Sequence, residues 1–102
     1  MVQATTPTFI LTLPSTIDLS TAEHVVFSVE QDFVSIHKDE SNMTINENVV
    51  TVSLDQDDTV SLSKGFAKIQ LNWTYADGSR ACSVIKEIPV SANLYKDVIS
   101  DD

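Results

Sequence analysis

A chain of 102 residues, 42% of them hydrophobic, is the size of one domain and has the apolar side chains to fill one core. Fifteen acidic residues against six basic ones leave a formal charge of −9, a field that repels phosphate backbones and argues against nucleic acid as a partner. No apolar run approaches the roughly 20 residues of a membrane span, no basic and apolar leader opens the sequence, and the single cysteine, Cys82, excludes an internal disulfide or a Cys-x-x-Cys site.

Apolar residues recur at every second position from end to end, which predicts an all-β chain. Residues 1–6 read as an N-terminal extension. In "TFILTL" the residues Phe9, Leu11 and Leu13 share a face, and Pro14, lacking an N–H, suits the strand's exit. Ser20 and Glu23 have capping-box spacing, predicting one helical turn that leads into a strand from Glu23 to Glu30 with Val25, Phe27 and Val29 inward. A tight turn near Gln31 and Asp32 then returns the chain along "DFVSIHKD". Met43 with Ile45, and Val50 and Val52 with Leu54, mark two short strands forming a second hairpin around "NEN". The stretch "DQDDTVSLSKG" suits a crossover between sheets with one helical turn, Asp55 serving as its N-cap.

The next run, "LNWTYADGSR", is a hairpin signal. With Asp77-Gly78 at the centre of a type I′ turn, Tyr75 falls opposite Arg80, Trp73 opposite Cys82 and Leu71 opposite Val84, so that Cys82 becomes a small core residue. Ala67, Ile69, Ile88 and Val90 extend the same face. Lys86 is a polar exception on it and Ile85 an apolar residue on the wrong side, which predicts a bulge near Ile85 to Glu87. About seven strands, with a crossover before a long late hairpin, predict an immunoglobulin-like antiparallel β-sandwich over residues 7–90, a partly open barrel being the alternative. The antibody pattern of two cysteines bracketing a tryptophan is absent. In the acidic tail, residues 91–102, Leu94 and Val98, and Tyr95 and Ile99, stand at i, i+4 on one face of a short helix.

The chemistry-bearing residues argue against an enzyme. His24 and His37 are the only histidines, both expected at the surface, with neither a strained serine elbow nor an activated cysteine beside them. Asp55, Asp57 and Asp58 resemble oxygen donors for Ca²⁺, but the glycine and glutamate of an EF-hand loop are missing, and a capped, solvated crossover is the better reading. The sequons Asn42-Met43-Thr44 and Asn72-Trp73-Thr74 are as frequent as chance allows. No catalytic residue, cofactor or metal is therefore expected. Surfaces remain: Ile10, Val26, Phe33, Val49 and Ile85 are apolar where alternation points outward. The interface candidates are Phe9 and Leu11, on an edge suited to strand addition, and Leu94, Tyr95, Val98 and Ile99, on a tail suited to a partner's groove.

The order "TFILTLP", "AEHVVFSVEQ", "VVTVSLDQDDTVSLSKG", "AKIQLNWTYADGSRACS" and "NLYKDVI" resembles that of short proteins encoded among the tail and baseplate genes of phages and prophages of Gram-positive bacteria. More distantly it is similar to the N-terminal sandwich module of baseplate upper proteins. The likeness covers most of the chain, its most specific part being "LDQDDTVSLSKG" leading into a strand of Gln, Leu and Trp and then "DGSR". Baseplate upper proteins continue into coiled-coil and receptor-binding parts, whereas this sequence stops near residue 102, so no host-binding tip is implied. The resemblance implies a structural or adaptor protein of the virion, present in the bacterial cytoplasm during assembly. Its partners would be phage structural subunits, a second copy of the chain among them, without nucleic acid or membrane. A carbohydrate or cell-surface recognition module is the alternative, and it would require an exposed aromatic platform.

Overall fold

The computed structural model describes residues 1–94. Eight strands form two antiparallel sheets: β1 (Thr8–Thr12), β2 (His24–Gln31), β3 (Val34–Asp39), β4 (Met43–Asn46), β5 (Val49–Ser53), β6 (Gly65–Thr74), β7 (Arg80–Cys82) and β8 (Lys86–Val90). The first sheet has the order β1-β5-β4, and the second β3-β2-β6 with both β7 and β8 on the far side of β6. Because β7 and β8 share one place, seven strand positions are filled. Their order is that of the B-E-D and C′-C-F-G strands of an immunoglobulin variable domain. Among the described residues, the A strand of such a domain has no counterpart beside β1.

Period-2 alternation builds the core. Val25, Phe27 and Val29 of β2, Val50 and Val52 of β5, and Ala67, Ile69, Leu71 and Trp73 of β6 are all buried. Leu19, Leu54 and Leu62 seal the ends of the sandwich. Phe27 lies at the centre, with the Phe9 ring 5.4 Å away from the opposite sheet and tilted by 40°. Burying a side chain of that size stabilises the fold by about 1.5–3 kcal/mol.

The turns follow from local chemistry, and some differ from the sequence reading. The helical turn before β2 is a 3₁₀ turn, Leu19–Thr21, capped by Asp18, whose carboxylate accepts the Ser20 N–H at 3.0 Å. Ser20 is thus inside the turn rather than its cap, because Asp18 stands two residues before that N–H and reaches it first. "DESN" contains a second such turn, Glu40–Asn42, capped by Asp39. The crossover carries one α-helical turn, α1 (Gln56–Thr59), with Asp55 at the N-cap as expected; the Asp58 carboxylate reaches back to accept the Asp55 N–H at 2.8 Å.

Buried polar side chains tie the crossover down. Thr59 donates its hydroxyl to the Thr5 carbonyl at 2.7 Å. At the inward end of β2, Gln31 donates to the Ser63 carbonyl and accepts the Ser63 N–H, both at 2.6 Å. Residues 1–6, read as an extension, help close the sandwich: Gln3 and Ala4 are buried, and Val2 forms a parallel bridge with Ser91 just beyond β8.

The last hairpin departs from the predicted register. Asn72 pairs with Cys82, Trp73 with Ala81 and Thr74 with Arg80, one residue away from a two-residue turn. The loop instead spans three residues: Gly78 N–H bonds to the Tyr75 carbonyl at 2.9 Å, Tyr75 N–H to the Ser79 carbonyl at 3.0 Å, and Gly78 has φ +86°. Asp77 selects this loop by accepting both the N–H and the hydroxyl of Ser79, at 2.9 and 2.7 Å, bonds that hold its carboxyl below the ordinary carboxylate value. Cys82 is consequently on the exposed outer face, not in the core. Further along, β8 pairs Ile69 with Lys86 and Ala67 with Ile88, the register read from the sequence.

Between the two registers Gln70 and Leu71 face Ser83, Val84 and Ile85, so the strand carries one extra residue. The expected bulge is present two residues earlier than predicted. Ser83 builds it: its hydroxyl accepts the Leu71 N–H at 3.0 Å, its own N–H goes to the Leu71 carbonyl at 2.9 Å, and Gln70 Nε2 donates to its carbonyl at 2.9 Å. The bulge turns Val84, expected inside, out to 76% exposure.

Replacing Phe27 by alanine is expected to lower stability by about 3–5 kcal/mol, whereas Phe33→Ala, in a fully exposed turn, stays within about 0.5 kcal/mol. Urea unfolding monitored by circular dichroism distinguishes the two. Equal losses would contradict this placement of the core.

Candidate functional site

The most distinctive surface is the open side of the sandwich, between the edge strand β1 and the bulged strand β7–β8. An apolar groove of about 420 Å³ runs there, lined by Leu11 of β1 and Leu13 just beyond it, Leu71 and Trp73 of β6, and Ser83 and Val84 of the bulge. Its origin is the unequal width of the sheets. The first has three strands and the second four strand positions, so β6 and β7 present inward-facing surface to which the first sheet contributes no strand. The bridge from Val2 to Ser91 closes this side only at the β8 end.

The four sheet edges differ in their protection against further pairing. His37, Lys38 and Asp39 lie on β3; β4 is four residues long with Glu47 next to its end; and β7–β8 has the bulge, Lys86 and Pro89. Charges, bulges and proline are the devices that keep edges from pairing with other chains. The five residues of β1 contain none of them, and no charged side chain precedes Asp18 in the sequence. Leu13 N–H bonds to the Asn48 carbonyl at 2.9 Å, and Leu54 N–H to the Pro7 carbonyl at 3.0 Å. Odd-numbered residues of β1 therefore aim their backbone groups at β5. Antiparallel alternation turns those of Thr8, Ile10 and Thr12 away from the sheet, and the Ile10 side chain is 69% exposed.

Phe9 and Leu11, the interface candidates on this edge, are half-buried on its core-facing side, and Leu11 lines the groove. Of the tail candidates, Leu94 is fully exposed, while Tyr95, Val98 and Ile99 lie outside the described residues. Ile10, Phe33 and Ile85 are exposed as alternation suggests, whereas Val26 and Val49 are half-buried. Sequence reasoning missed Val84 and Phe66 as exposed residues. An off-by-one hairpin register concealed Val84. Phe66 was legible as an outward position on β6.

The remaining polar groups have structural partners. His24 Nδ1 lies 2.9 Å from the Glu40 carboxylate, which also accepts the Val25 N–H at 3.2 Å. His37 Nδ1 is 3.0 Å from the Ser28 hydroxyl across the β2–β3 pair, and it makes no second side-chain hydrogen bond among the described residues. A catalytic serine would need that imidazole oriented by a third group and the hydroxyl set in an enclosed site. The acidic crossover is occupied by an ammonium: Lys38 Nζ lies 2.9 Å from Asp58 and 3.6 Å from Asp55, and the Asp58 hydrogen bond raises the lysine's pKa. No cluster of metal-binding side chains is found among the described residues.

The hydrogen bond and negative charge of Glu40 raise the pKa of His24, while His24 and the Glu40 and Val25 N–H groups bring Glu40 down to about 2. On the basic side, the pair's contribution to folding is fully present below pH 6.5 and is lost as pH rises through the raised histidine value. On the acid side, it is present above pH 4.5 and is lost as pH falls towards about 2. An NMR titration is expected to place the His24 midpoint above 6.5 and to return it towards that value in Glu40→Gln. A midpoint unmoved by the substitution would contradict the pairing. No family model matches this chain, and comparison with curated proteins and with solved structures gives no significant match.

Proposed function

We propose that this protein is a non-enzymatic structural or adaptor component that works through protein–protein contacts, with the β1 edge and its groove as the attachment surface. The observation that carries the reading is the pairing of opposites on one side of the sandwich. The β7–β8 edge is bulged, charged and proline-guarded, and the facing β1 edge is uncharged and directs outward, beside an apolar groove, strand hydrogen-bonding groups that no described residue engages. Strand addition meets both needs of such a surface, because an added strand satisfies the backbone groups while its inward side chains fill the groove.

The setting comes from the resemblance noted above: tail or baseplate assembly of a phage or prophage of Gram-positive bacteria, in the virion or in the cytoplasm while it is built. In a symmetric particle, weak contacts repeated around an axis reinforce one another through effective concentration. The formal charge of −9 keeps free copies apart everywhere except at the neutral strip.

A carbohydrate-recognition module would need an accessible aromatic platform. Trp73 is 3% exposed and donates its indole N–H to the Tyr75 hydroxyl at 3.0 Å. The exposed rings Phe33 and Phe66 lack the polar tip with which Tyr and Trp serve such contacts. Trp73 emission is therefore expected to be blue-shifted, weakly quenched by acrylamide and unchanged by added oligosaccharides; strong quenching, or a sugar-dependent shift, would favour the recognition module. The attachment surface is tested by a photo-crosslinking residue at position 10 and, separately, at position 33, in cells that make the protein. Discrete crosslinks from position 10 and none from position 33 are expected. The reverse pattern, or no crosslink at position 10, would overturn the assignment.

A further inference from the structure

The groove restricts what can add to β1. An added strand offers its backbone to the outward groups of Thr8, Ile10 and Thr12, and its side chains opposite Phe9 and Leu11 then point to the core side, into the groove beside Leu71, Trp73 and Val84. Those side chains have to be unengaged before docking. A strand already built into a sandwich has its core face packed, as Phe9 and Leu11 are here, and it brings a second sheet that would collide with β7–β8. We infer that the occupant is a segment of another protein that is unfolded until it binds, with apolar residues at every second position and basic residues at its ends; the inference rests on the attachment surface proposed above. Such a segment carries no layer of its own and orders as a strand on docking.

The ladder sets the length of the segment. Pairing starts with β1 at Thr8 and stops before Pro14, which lacks the outward N–H that the next pair would need. The paired part is about five residues at about 3.4 Å each. Residues opposite Thr8, Ile10 and Thr12 exchange N–H and carbonyl bonds with β1 and turn their side chains to solvent, so proline is excluded there.

The two ends of the seam select charge. At the first, Thr8 and Ser53 join their hydroxyls at 2.8 Å, and the crossover carboxylates Asp55, Asp57 and Asp58 follow. Lys38 engages Asp58 and Asp55, whereas exposed Asp57 has no ionic partner among the described residues. At the other end, the Leu13 N–H bonds to the Asn48 carbonyl beside exposed Glu47, and the Ile17 N–H bonds to the Pro14 carbonyl beside exposed Asp18. Neither carboxylate forms an ion pair among the described residues. The edge between these ends carries no charge, and the charged side chain in the groove lining is Lys86. A segment with lysine or arginine at both ends and none in the middle meets carboxylates at each extremity and avoids Lys86. The formal charge of −9 attracts it from a distance and repels a second copy.

The test is an NMR titration of the full chain with three end-capped synthetic peptides. One alternates valine and threonine over about seven residues between pairs of lysines; one has the same composition with its valines consecutive; one has glutamates in place of the lysines. The alternating basic peptide is expected to shift the amides of Thr8, Ile10 and Thr12 and to slow their exchange. It is expected to bind about tenfold more tightly than either control, and more weakly as salt rises. Methylating its threonine nitrogens, which face β1, is expected to abolish binding, while methylating its valine nitrogens leaves binding intact. Val84→Arg, at an exposed position of the groove, is expected to keep the melting temperature and to weaken binding about tenfold.

Equal binding of the three peptides, equal effects of the two methylations, an indifferent Val84→Arg, or no binding up to about 1 mM would overturn this occupant. In cells, crosslinks from position 10 are expected to map to a net-positive segment whose amides exchange fast when the partner is alone. Crosslinks that reach only a second copy, a strand of a folded domain or an acidic segment would also overturn it, leaving the attachment surface itself in place.

Discussion

The fold depends on β2 and β6 lying side by side with their alternate residues buried. Val25, Phe27 and Val29 pair directly with Trp73, Leu71 and Ile69, which commits one face of the second sheet to the core and fixes every register outward from that seam. A slip of one residue would bring the polar side chains of Ser28, Gln70 and Asn72 to the interior and drive the core set into water. The first sheet then covers this face with Val50 and Val52 on its central strand. Buried polar fasteners at Gln31 and Thr59 hold the crossover against both layers, satisfying backbone groups that would otherwise be stranded in the interior.

What remains open follows from that arrangement. Two sheets of unequal width leave apolar surface beside the narrower one, and the chain treats the two rims of the opening differently. On the wider sheet Ser83 interrupts the ladder, replacing a backbone acceptor with its hydroxyl, and the bulge faces Val84 and Ile85 outward. On the narrower sheet β1 is regular and uncharged. A chain with fifteen acidic residues could guard that edge with a single carboxylate, yet none stands before Asp18. Local sequence, sheet order and electrostatics thus converge on one surface, and such convergence distinguishes a site from a scatter of exposed apolar residues.

Much of this was legible in the sequence because burial on one face of a strand imposes a period of two. The strands from Thr8 to Ser53, the capped crossover at Asp55 and the inward set of β6 all follow from it. The hairpin register was not legible. Asp-Gly is compatible with a two-residue or a three-residue loop, and the choice rests on Ser79 being placed to bond Asp77. That single residue moved Cys82 to the surface, and Val84 followed with the bulge. Asp18 as the cap of the 3₁₀ turn was concealed by the capping-box spacing of Ser20 and Glu23. The groove had no sequence signal of its own, since it is made by the number of strands in each sheet and by the parallel bridge from Val2 to Ser91, both of which are tertiary facts. The uncharged edge bordering it was visible from the beginning as a run of residues without charge.

The central claim is that β1 is an edge covered by none of the described residues, whose outward groups alternate with inward ones. Residue-resolved amide hydrogen exchange on the purified protein at low concentration measures this most directly. The account predicts fast exchange at Thr8, Ile10 and Thr12 and slow exchange at Phe9, Leu11 and Leu13. Uniform protection along the strand at the lowest concentration would mean that another part of the chain covers the edge, and would contradict the account.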